Sequence, residues 1–206
     1  MALDLKQLLD PSHTALVTQE CQGAVLGPDA LMPALVEVAR KGMIDNAARL
    51  VRAARAADVQ VLHSVAARRP DGRAANRNAR LFAGVQKGQP RLLAGTPDAE
   101  VIPELGPEES DIVLQRLHGM GPMYGTDLQS LLMNLGVTTI VGIGVSLNLG
   151  MISFATDAVN AGFQFVMPRD AVAGAPEAYA AAMLEHTYPL IATLPTTDEV
   201  IEAWSR

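Results

Sequence analysis

Residues 138–162, TTIVGIGVSLNLGMISFATDAVNAG, carry the pattern that decides the fold. The segment opens with an apolar run rich in β-branched residues, which is typical of a strand buried on both faces of a parallel sheet. A helical pattern follows directly, so the segment predicts a strand followed by a helix. It also raises a question, because Gly150 lies in the first turn of that helix, where no turn obviously requires a glycine.

Other apolar runs of the same kind lie on both sides of this segment. They are short, rich in Val, Ile, Leu and Phe, and bounded by Gly, Pro or Asp, as buried strands tend to be. They cover residues 14–19 (TALVTQ), 59–65 (VQVLHSV), 111–115 (DIVLQ) and 163–168 (FQFVMP). Each is therefore predicted to be a strand.

Helical patterns separate these predicted strands. Residues 44–58 place apolar side chains at i, i+3, i+4 and i+7 spacing. Residues 125–136 offer Thr126 as an N-cap and Gly136 as a stop. Alternating strands and helices predict right-handed crossovers and a three-layer, doubly wound, mainly parallel α/β fold. Sites in such folds lie at the carboxyl ends of the strands.

The composition favours a globular protein that binds small molecules. The 206 residues are 49% hydrophobic and 18% charged, so we expect a single domain over residues 1–206. The net charge of -6 disfavours nucleic acid and anionic membrane surfaces as partners. The chain begins without a signal-peptide pattern and has no run near the roughly 20 apolar residues of a bilayer span, so we expect a cytoplasmic protein.

Cysteine and histidine usage argues against metal chemistry. Cys21 is the only cysteine, which excludes an intramolecular disulfide and a cysteine-based metal cluster. The four histidines show no paired spacing of the kind that metal ligands have. We expect no metal and no cofactor.

Polar residues follow two of the predicted strands where a site is expected. Glu20, Cys21 and Gln22 follow the first strand. Arg116 follows the third predicted strand. A guanidinium at the end of an apolar strand needs either a carboxylate partner or contact with water. A structural ion pair between Arg116 and Glu20 would meet that need. His118, a little further along, is expected to be a satisfied loop histidine rather than a catalytic one.

The turn after the fourth strand, VSLNLG, allows two interpretations. Backbone N–H groups at the start of the following helix would bind an anion or an oxyanion. The turn would equally suit an ordinary connection in which Gly150 only permits close packing. Spacing alone leaves both open.

Four segments, in this order, resemble the isochorismatase-like hydrolase family, which also includes cysteine hydrolases such as nicotinamidases and N-carbamoylsarcosine amidohydrolases. The resemblance covers about residues 12–204 and implies a Rossmann-like sheet of six strands, the last one short and near residues 192–194. The segments are TALVTQECQGAVL, LLAGTPDAEVIPELGPEESDIVLQR, YGTDLQSLLMNLGVTTIVGIGVSLNLGMISFATDAVNAGFQFVMPRDAVAG and LPTTDEVIEAW.

The resemblance also assigns three catalytic positions. The family has an aspartate after the first strand, a lysine after the third functional strand and a nucleophilic cysteine at the start of the helix after the fourth. Laid over this chain, these positions fall on Glu20, Arg116 and Gly150. Members that cleave a vinyl ether resemble this chain in having glycine there. In them the acidic residue protonates the enol-ether carbon and water completes the hydrolysis.

The sequence therefore predicts a cysteine-independent hydrolase of a small carboxylate or vinyl-ether substrate. Glu20 would act as the general acid, and Arg116 would hold a substrate carboxylate in bidentate fashion. Further substrate contacts are expected from the residues around these strand ends, which are Gln22, His118, Tyr124, Ser146, Leu147 and Leu149.

Two other hypotheses stay open at this point. The chain could be an inactive family member that binds small molecules or serves a structural purpose. An enzyme would aim Glu20 and Arg116 at a shared cavity, whereas a decayed site would close them into a direct ion pair. A nucleophilic Cys21 with Glu20 as its base is disfavoured, because adjacent residues on a strand point to opposite faces.

The segment 66–107 is rich in Gly, Pro and Arg, which is typical of a functional loop or an interface arm. Its arginines would line a pocket entrance or a subunit interface, or form a solvated basic face; they are Arg68, Arg69, Arg73, Arg77 and Arg80. We expect a homo-oligomer, a dimer or a tetramer, by analogy with the family and from apolar positions in residues 121–136.

Overall fold

The computed structural model describes residues 4–85 and 91–205. Six parallel strands form one sheet with helices on both faces, so the predicted α/β architecture is confirmed. The strands are β1 (Thr14–Gln19), β2 (Gln60–Ala66), β3 (Ile112–Arg116), β4 (Thr139–Val145), β5 (Gln164–Val166) and β6 (Val172–Ala173). The helices are α1 (Leu5–Leu8), α2 (Gly23–Leu26), α3 (Pro33–Ala39), α4 (Met43–Ala56), α5 (Arg80–Val85), α6 (Leu128–Asn134), α7 (Ile152–Asn160), α8 (Glu177–His186) and α9 (Thr197–Trp204).

Strand β1 lies at the centre of the sheet. The strand order is β3-β2-β1-β4-β5, and β6 pairs with the carboxyl end of β4. Gln19, the last residue of β1, is in register with Ser64 of β2 and Gly144 of β4. Arg116, the last residue of β3, is in register with Ala66. The carboxyl ends of four strands therefore meet at one edge of the sheet.

Alternation along the strands divides the core into two layers. Ala15 and Val17 of β1 face one layer, and Leu16 faces the other. The first layer includes buried residues of α6 and α7, and the second includes buried residues of α4 and α9. Both faces of the sheet are covered, which explains why its strands read as continuous apolar runs.

Two glycines in β4 lie where a side chain would collide with neighbouring atoms. A Cβ on Gly142 would collide with the ring of Phe165, which packs edge-to-face on Phe154 with ring centroids 4.9 Å apart. Gly144 has a φ of 116° and approaches the backbone of Gln19. Only glycine meets both requirements at that position.

The structure differs from the sequence-based expectations at some boundaries. Val172–Ala173 supplies the sixth strand, whereas Thr193 in the expected segment 192–194 makes a single parallel bridge to Val166. The N-cap of α6 is Asp127 rather than Thr126, although the Thr126 hydroxyl accepts a hydrogen bond from the Leu128 N–H. Gly136 has a φ of 72° just beyond α6 and ends that helix as predicted.

The arginine-rich segment contains more structure than a plain loop would. It includes α5 and two 3₁₀ turns, Pro97–Ala99 and Pro103–Leu105, and Arg68 forms a parallel bridge with Leu93. Arg69 pairs with Asp71 at 2.9 Å on the surface. Arg91 is partly buried and pairs with Asp98 at 2.6 Å, whereas Arg73, Arg77 and Arg80 are exposed.

Residues 121–136 present several apolar side chains to solvent. Tyr124 is 83% exposed and Met133 is 63% exposed, and Leu135 lies nearby on the surface. Such side chains suit an interface between subunits, and the homo-oligomer stays a prediction. Within the described ranges, no helix is both long and apolar enough to span a bilayer.

A buried polar cluster lies at the amino end of β3. The Asp111 carboxylate accepts hydrogen bonds from Arg55 and from the Glu108 N–H, and it lies 3.1 Å from His63 Nε2. His63 Nδ1 lies 2.8 Å from the Thr18 hydroxyl on β1. Burial acts to raise the pKa of Asp111, but these hydrogen bonds outweigh it and hold the pKa below its ordinary value. Asp111 is therefore a charged anchor of the fold.

Replacing this carboxylate should destabilise the protein. Asp111→Asn replaces the buried carboxylate that accepts from Arg55 and from the Glu108 N–H with a neutral amide, so we expect the free energy of unfolding to fall by about 3 kcal/mol. Urea denaturation at neutral pH measures this change. Glu109→Gln, an exposed carboxylate-to-amide change two residues away, is the matched control and should leave stability within about 0.5 kcal/mol. Equal stability of the two variants would contradict the anchor role.

Candidate active site

Three strand ends converge on one cavity at the carboxyl edge of the sheet. Glu20 follows β1 directly, Arg116 ends β3, and Gly150 lies in a π turn, Leu147–Met151, that leads from β4 into α7. All three residues line a cavity of about 120 Å³, referred to below as the edge cavity. The position agrees with the rule that sites in parallel sheets lie beyond the carboxyl ends of the strands.

Glu20 and Arg116 meet even though β2 lies between their strands. Glu20 has a left-handed φ of 52°, which is uncommon for a residue with a Cβ and turns the chain sharply at the end of β1. Strand β2 ends at Ala66, and Ala66 and the following Ala67 both line the edge cavity. Their small side chains leave room for the carboxylate and the guanidinium to contact each other.

Arg116 is the most buried charged group of the site. Its side chain is only 3% exposed, and its Nη2 donates to Glu20 Oε1 and, at 2.8 Å, to the Met120 carbonyl. Its Nε donates to the Gly121 carbonyl at 3.1 Å. Nη1 is buried and has no acceptor among the described residues. One N–H edge of this guanidinium is therefore left for a further acceptor.

Opposing effects act on the Glu20 carboxyl group. Burial is the larger effect and raises the pKa of Glu20 above its ordinary value, while the charge and hydrogen bond of Arg116 offset part of that rise. The Glu20 side chain is still 20% exposed at the edge cavity. The sequence analysis treated a direct ion pair and a shared cavity as alternatives. The structure has both, because Glu20 and Arg116 form a direct ion pair and both line the same cavity.

Gln19 is a residue of the site that the sequence analysis missed. A Cβ built on Gly150 would lie 2.9 Å from Gln19 Nε2, 3.2 Å from the Met120 carbonyl oxygen and 3.3 Å from the Val145 carbonyl oxygen. Gln19 Nε2 also donates to the Met120 carbonyl at 2.9 Å. The space that a side chain at position 150 would need is therefore narrow. The signal available in the sequence was a polar glutamine at the end of a largely apolar run.

The turn after β4 offers fewer free N–H groups than its sequence suggested. The N–H groups of Leu149 and Met151 both donate to the Ser146 carbonyl, at 3.1 and 3.0 Å. The Leu147 carbonyl accepts a hydrogen bond from the Tyr188 hydroxyl, which holds the turn against the 3₁₀ turn Tyr188–Leu190. These hydrogen bonds hold the turn in place, and two of its N–H groups already donate to a carbonyl within the protein.

The structure brings half of the predicted substrate contacts to the edge cavity. His118, Ser146 and Leu149 line it. Tyr124 and Leu147 are not among its lining residues, the first exposed and the second buried in the core. Gln22 is fully buried, and its side chain forms hydrogen bonds with backbone groups instead. Its Nε2 donates to the carbonyls of Ala66 and Asp98, and its Oε1 accepts from the Ala66 N–H. Gln22 therefore fixes the end of β2.

Cys21 lies away from the edge cavity. It is 1% exposed, and burial raises the pKa of its thiol to about 12. A thiol with that pKa is protonated at neutral pH and is a poor nucleophile. In residues 4–85 and 91–205, no three His, Cys, Asp or Glu side chains are grouped so that they could hold a metal ion.

Comparison with known proteins gives consistent matches. The isochorismatase domain family matches residues 14–199. The isochorismatase family protein YecD of Escherichia coli O157:H7 is 35% identical over 51% of this chain and 60% of its own length, so the match spans less than two thirds of that relative. The phenazine biosynthesis protein PhzD1 of Pseudomonas aeruginosa is 29% identical over 94% of this chain and 87% of its own.

The fold is also similar to that of solved structures. A cysteine hydrolase from Pseudomonas syringae pv. phaseolicola superimposes with a TM-score of 0.83 and 25% sequence identity. The superposition covers 94% of this chain and 93% of the other. The similarity therefore extends to nearly the whole of both chains.

The contact between Gly150 and Gln19 generates a test by substitution. We expect Gly150→Ala to destabilise the protein by about 1 to 3 kcal/mol, because the new methyl group forces Gln19 or the backbone carbonyls to shift. Gln19→Ala combined with Gly150→Ala should restore part of that loss, since the double variant removes the shortest of the close contacts and leaves only those to the two backbone carbonyls. A double-mutant cycle measured by urea denaturation gives the coupling. Strict additivity of the two single changes would contradict the contact.

Proposed function

Because the chain belongs to the isochorismatase family, we propose that it is a hydrolase that cleaves a small carboxylate-bearing vinyl ether without a thiol nucleophile. One observation carries the proposal: Glu20, Arg116 and Gly150 line the same cavity, while the single cysteine is buried outside it. The chain supplies an acid and a cation at that cavity, and glycine stands where cysteine relatives have their nucleophile.

Arg116 is proposed to bind the substrate carboxylate. Its Nη1 has no acceptor among the described residues, and a carboxylate oxygen is the acceptor that a guanidinium binds most strongly. Because Nη1 is buried, Glu20 or another neighbour must shift for the substrate carboxylate to reach it. The two backbone carbonyls of Met120 and Gly121 hold the guanidinium in place. Arg116 therefore pays little conformational entropy on binding, because its side chain is already ordered.

Substrate binding is proposed to protonate Glu20. In the free protein burial already raises the pKa of Glu20 above its ordinary value, and the charge and hydrogen bond of Arg116 offset only part of that rise. A substrate carboxylate on Arg116 brings a second negative charge next to Glu20 and competes for the same guanidinium. Both effects raise the pKa of Glu20, so the carboxyl group takes up a proton when the substrate arrives.

The protonated Glu20 is then proposed to act as the general acid. It transfers its proton to the vinyl carbon, and the ether oxygen stabilises the resulting cation. Water adds to the cationic carbon and loses a proton to the Glu20 carboxylate, and the hemiketal breaks down to a ketone and an alcohol. The sum is one vinyl ether and one water consumed, with no covalent enzyme intermediate.

Substitutions at the site separate the proposed roles. Glu20→Gln should lower kcat at least about 100-fold, because the amide keeps the shape of the side chain but has no proton to transfer. Arg116→Lys should raise KM more than it lowers kcat, because the charge remains while the planar donor fork is lost. Steady-state kinetics with vinyl-ether carboxylates measures both. Cys21→Ala is the control and should keep its activity, as should the wild-type protein after treatment with iodoacetamide.

Proton uptake tests the mechanism without turnover. An unreactive carboxylate should bind more tightly as the pH falls, because binding is linked to protonation of Glu20. Calorimetric titrations in buffers of different ionisation enthalpy should give uptake of up to one proton per ligand, and Glu20→Gln should abolish it. Binding without proton uptake would overturn the proposed role of Glu20. Carboxylate binding with no turnover of any vinyl ether would instead support the second hypothesis, an inactive binding protein.

A further inference from the structure

Four large apolar side chains form a rim where the edge cavity opens to solvent. Met32, Leu117, Met120 and Leu149 line the cavity, and each of them is between 36% and 38% exposed. They come from three separate segments, which are the turn before α3, the loop after β3 and the π turn after β4. Single exposed apolar side chains are common on protein surfaces, but a group of them around one cavity marks a binding surface.

The rest of the lining is also rich in hydrocarbon. Its apolar side chains come from the segment after β1, from the end of β2 and from the arginine-rich segment. The larger ones are Val25, Leu31, Leu81, Phe82 and Leu92. A ligand that fills the edge cavity therefore places most of its surface against apolar groups.

Away from the ion pair, the polar side chains of the described lining are few, and most already have partners. Asn76 Oδ1 accepts a hydrogen bond from the Gly119 N–H at 2.8 Å. Arg68 and His118 are engaged as well. Ser146 contributes one hydroxyl group. The lining thus has little to offer a ligand that carries several hydroxyl groups.

We infer that the substrate carries a hydrocarbon group, alkyl or aryl, on its ether oxygen, and that the edge cavity selects such ethers over hydroxylated ones. The inference rests on the proposed function in taking the edge cavity as the site of a vinyl ether. A substrate whose vinyl carbon reaches Glu20 has to lay the rest of its structure along the apolar lining. Burial of hydrocarbon there is favourable, whereas a hydroxyl group that loses water without gaining a partner weakens binding.

Unreactive saturated ethers test this selection on the intact chain. 2-Propoxypropanoate and 2-(2-hydroxyethoxy)propanoate carry the same carboxylate on chains of equal length, but one ends in a methyl group and the other in a hydroxyl group. Because their charges are equal, the comparison reports on the lining alone. Isothermal titration should give the propoxy compound an affinity about tenfold higher. Equal or tighter binding of the hydroxyl compound, or no binding of either, would overturn the inference.

Substitutions in the rim locate the source of the selection. Met32→Gln and Leu149→Asn nearly keep the size of each side chain but replace hydrocarbon with an amide, so each should lower the preference for the propoxy compound at least about threefold. Leu190→Asn is the matched control and should leave the preference unchanged, since Leu190 is 82% exposed and is not among the residues that line the cavity. A preference that both rim variants retain in full would contradict the assigned surface.

The outcomes distinguish this inference from the proposed function. Selective binding of 2-propoxypropanoate with no turnover of the vinyl ether 2-propoxyacrylate would leave the selection standing and remove the activity. A higher kcat/KM for 2-(2-hydroxyethoxy)acrylate than for 2-propoxyacrylate would support the activity and overturn the selection. The two proposals therefore fail on different measurements.

Discussion

The buried guanidinium of Arg116 is the constraint on which the rest of the site depends. A cation with a side chain that is 3% exposed must be compensated, because an uncompensated buried charge is very costly. Glu20 supplies the charge, and the carbonyls of Met120 and Gly121 supply acceptors. These contacts tie the end of β1 to the loop after β3. Two alanines at the end of β2 make the contact across that strand sterically feasible.

The packing around Gly150 leaves little room for a side chain at that position. Gln19 places its amide against the glycine and bonds the Met120 carbonyl, the same carbonyl that accepts from Arg116. The two side chains thus hold the loop after β3 through a shared acceptor. A side chain at position 150 would have to displace Gln19 or move the backbone, so glycine at 150 and glutamine at 19 are linked by packing.

Two buried ionic clusters lie at opposite ends of β3 and differ in how completely they are satisfied. At the amino end, Asp111 bonds Arg55, His63 and a backbone N–H, and the cluster joins α4 to the central strands. At the carboxyl end, Arg116 keeps one nitrogen without an acceptor among the described residues. A fully paired cluster stabilises a fold, whereas an incompletely paired one beside a cavity is suited to bind a ligand. The contrast supports a structural role for the first and a binding role for the second.

The sequence by itself determined the strand and helix pattern, the parallel α/β architecture and the strand ends at which a site would lie. Those features follow from local periodicity and from the position of Glu20 and Arg116 directly after apolar runs. The sequence did not locate the sixth strand at Val172–Ala173, because two residues carry almost no periodic signal. Only the tertiary structure decided that Gln22 bonds the backbone, that Tyr124 faces solvent and that Gln19 packs on Gly150. Each of these depends on which side chains other strands bring to the same edge, and sequence spacing within one strand carries no information about that.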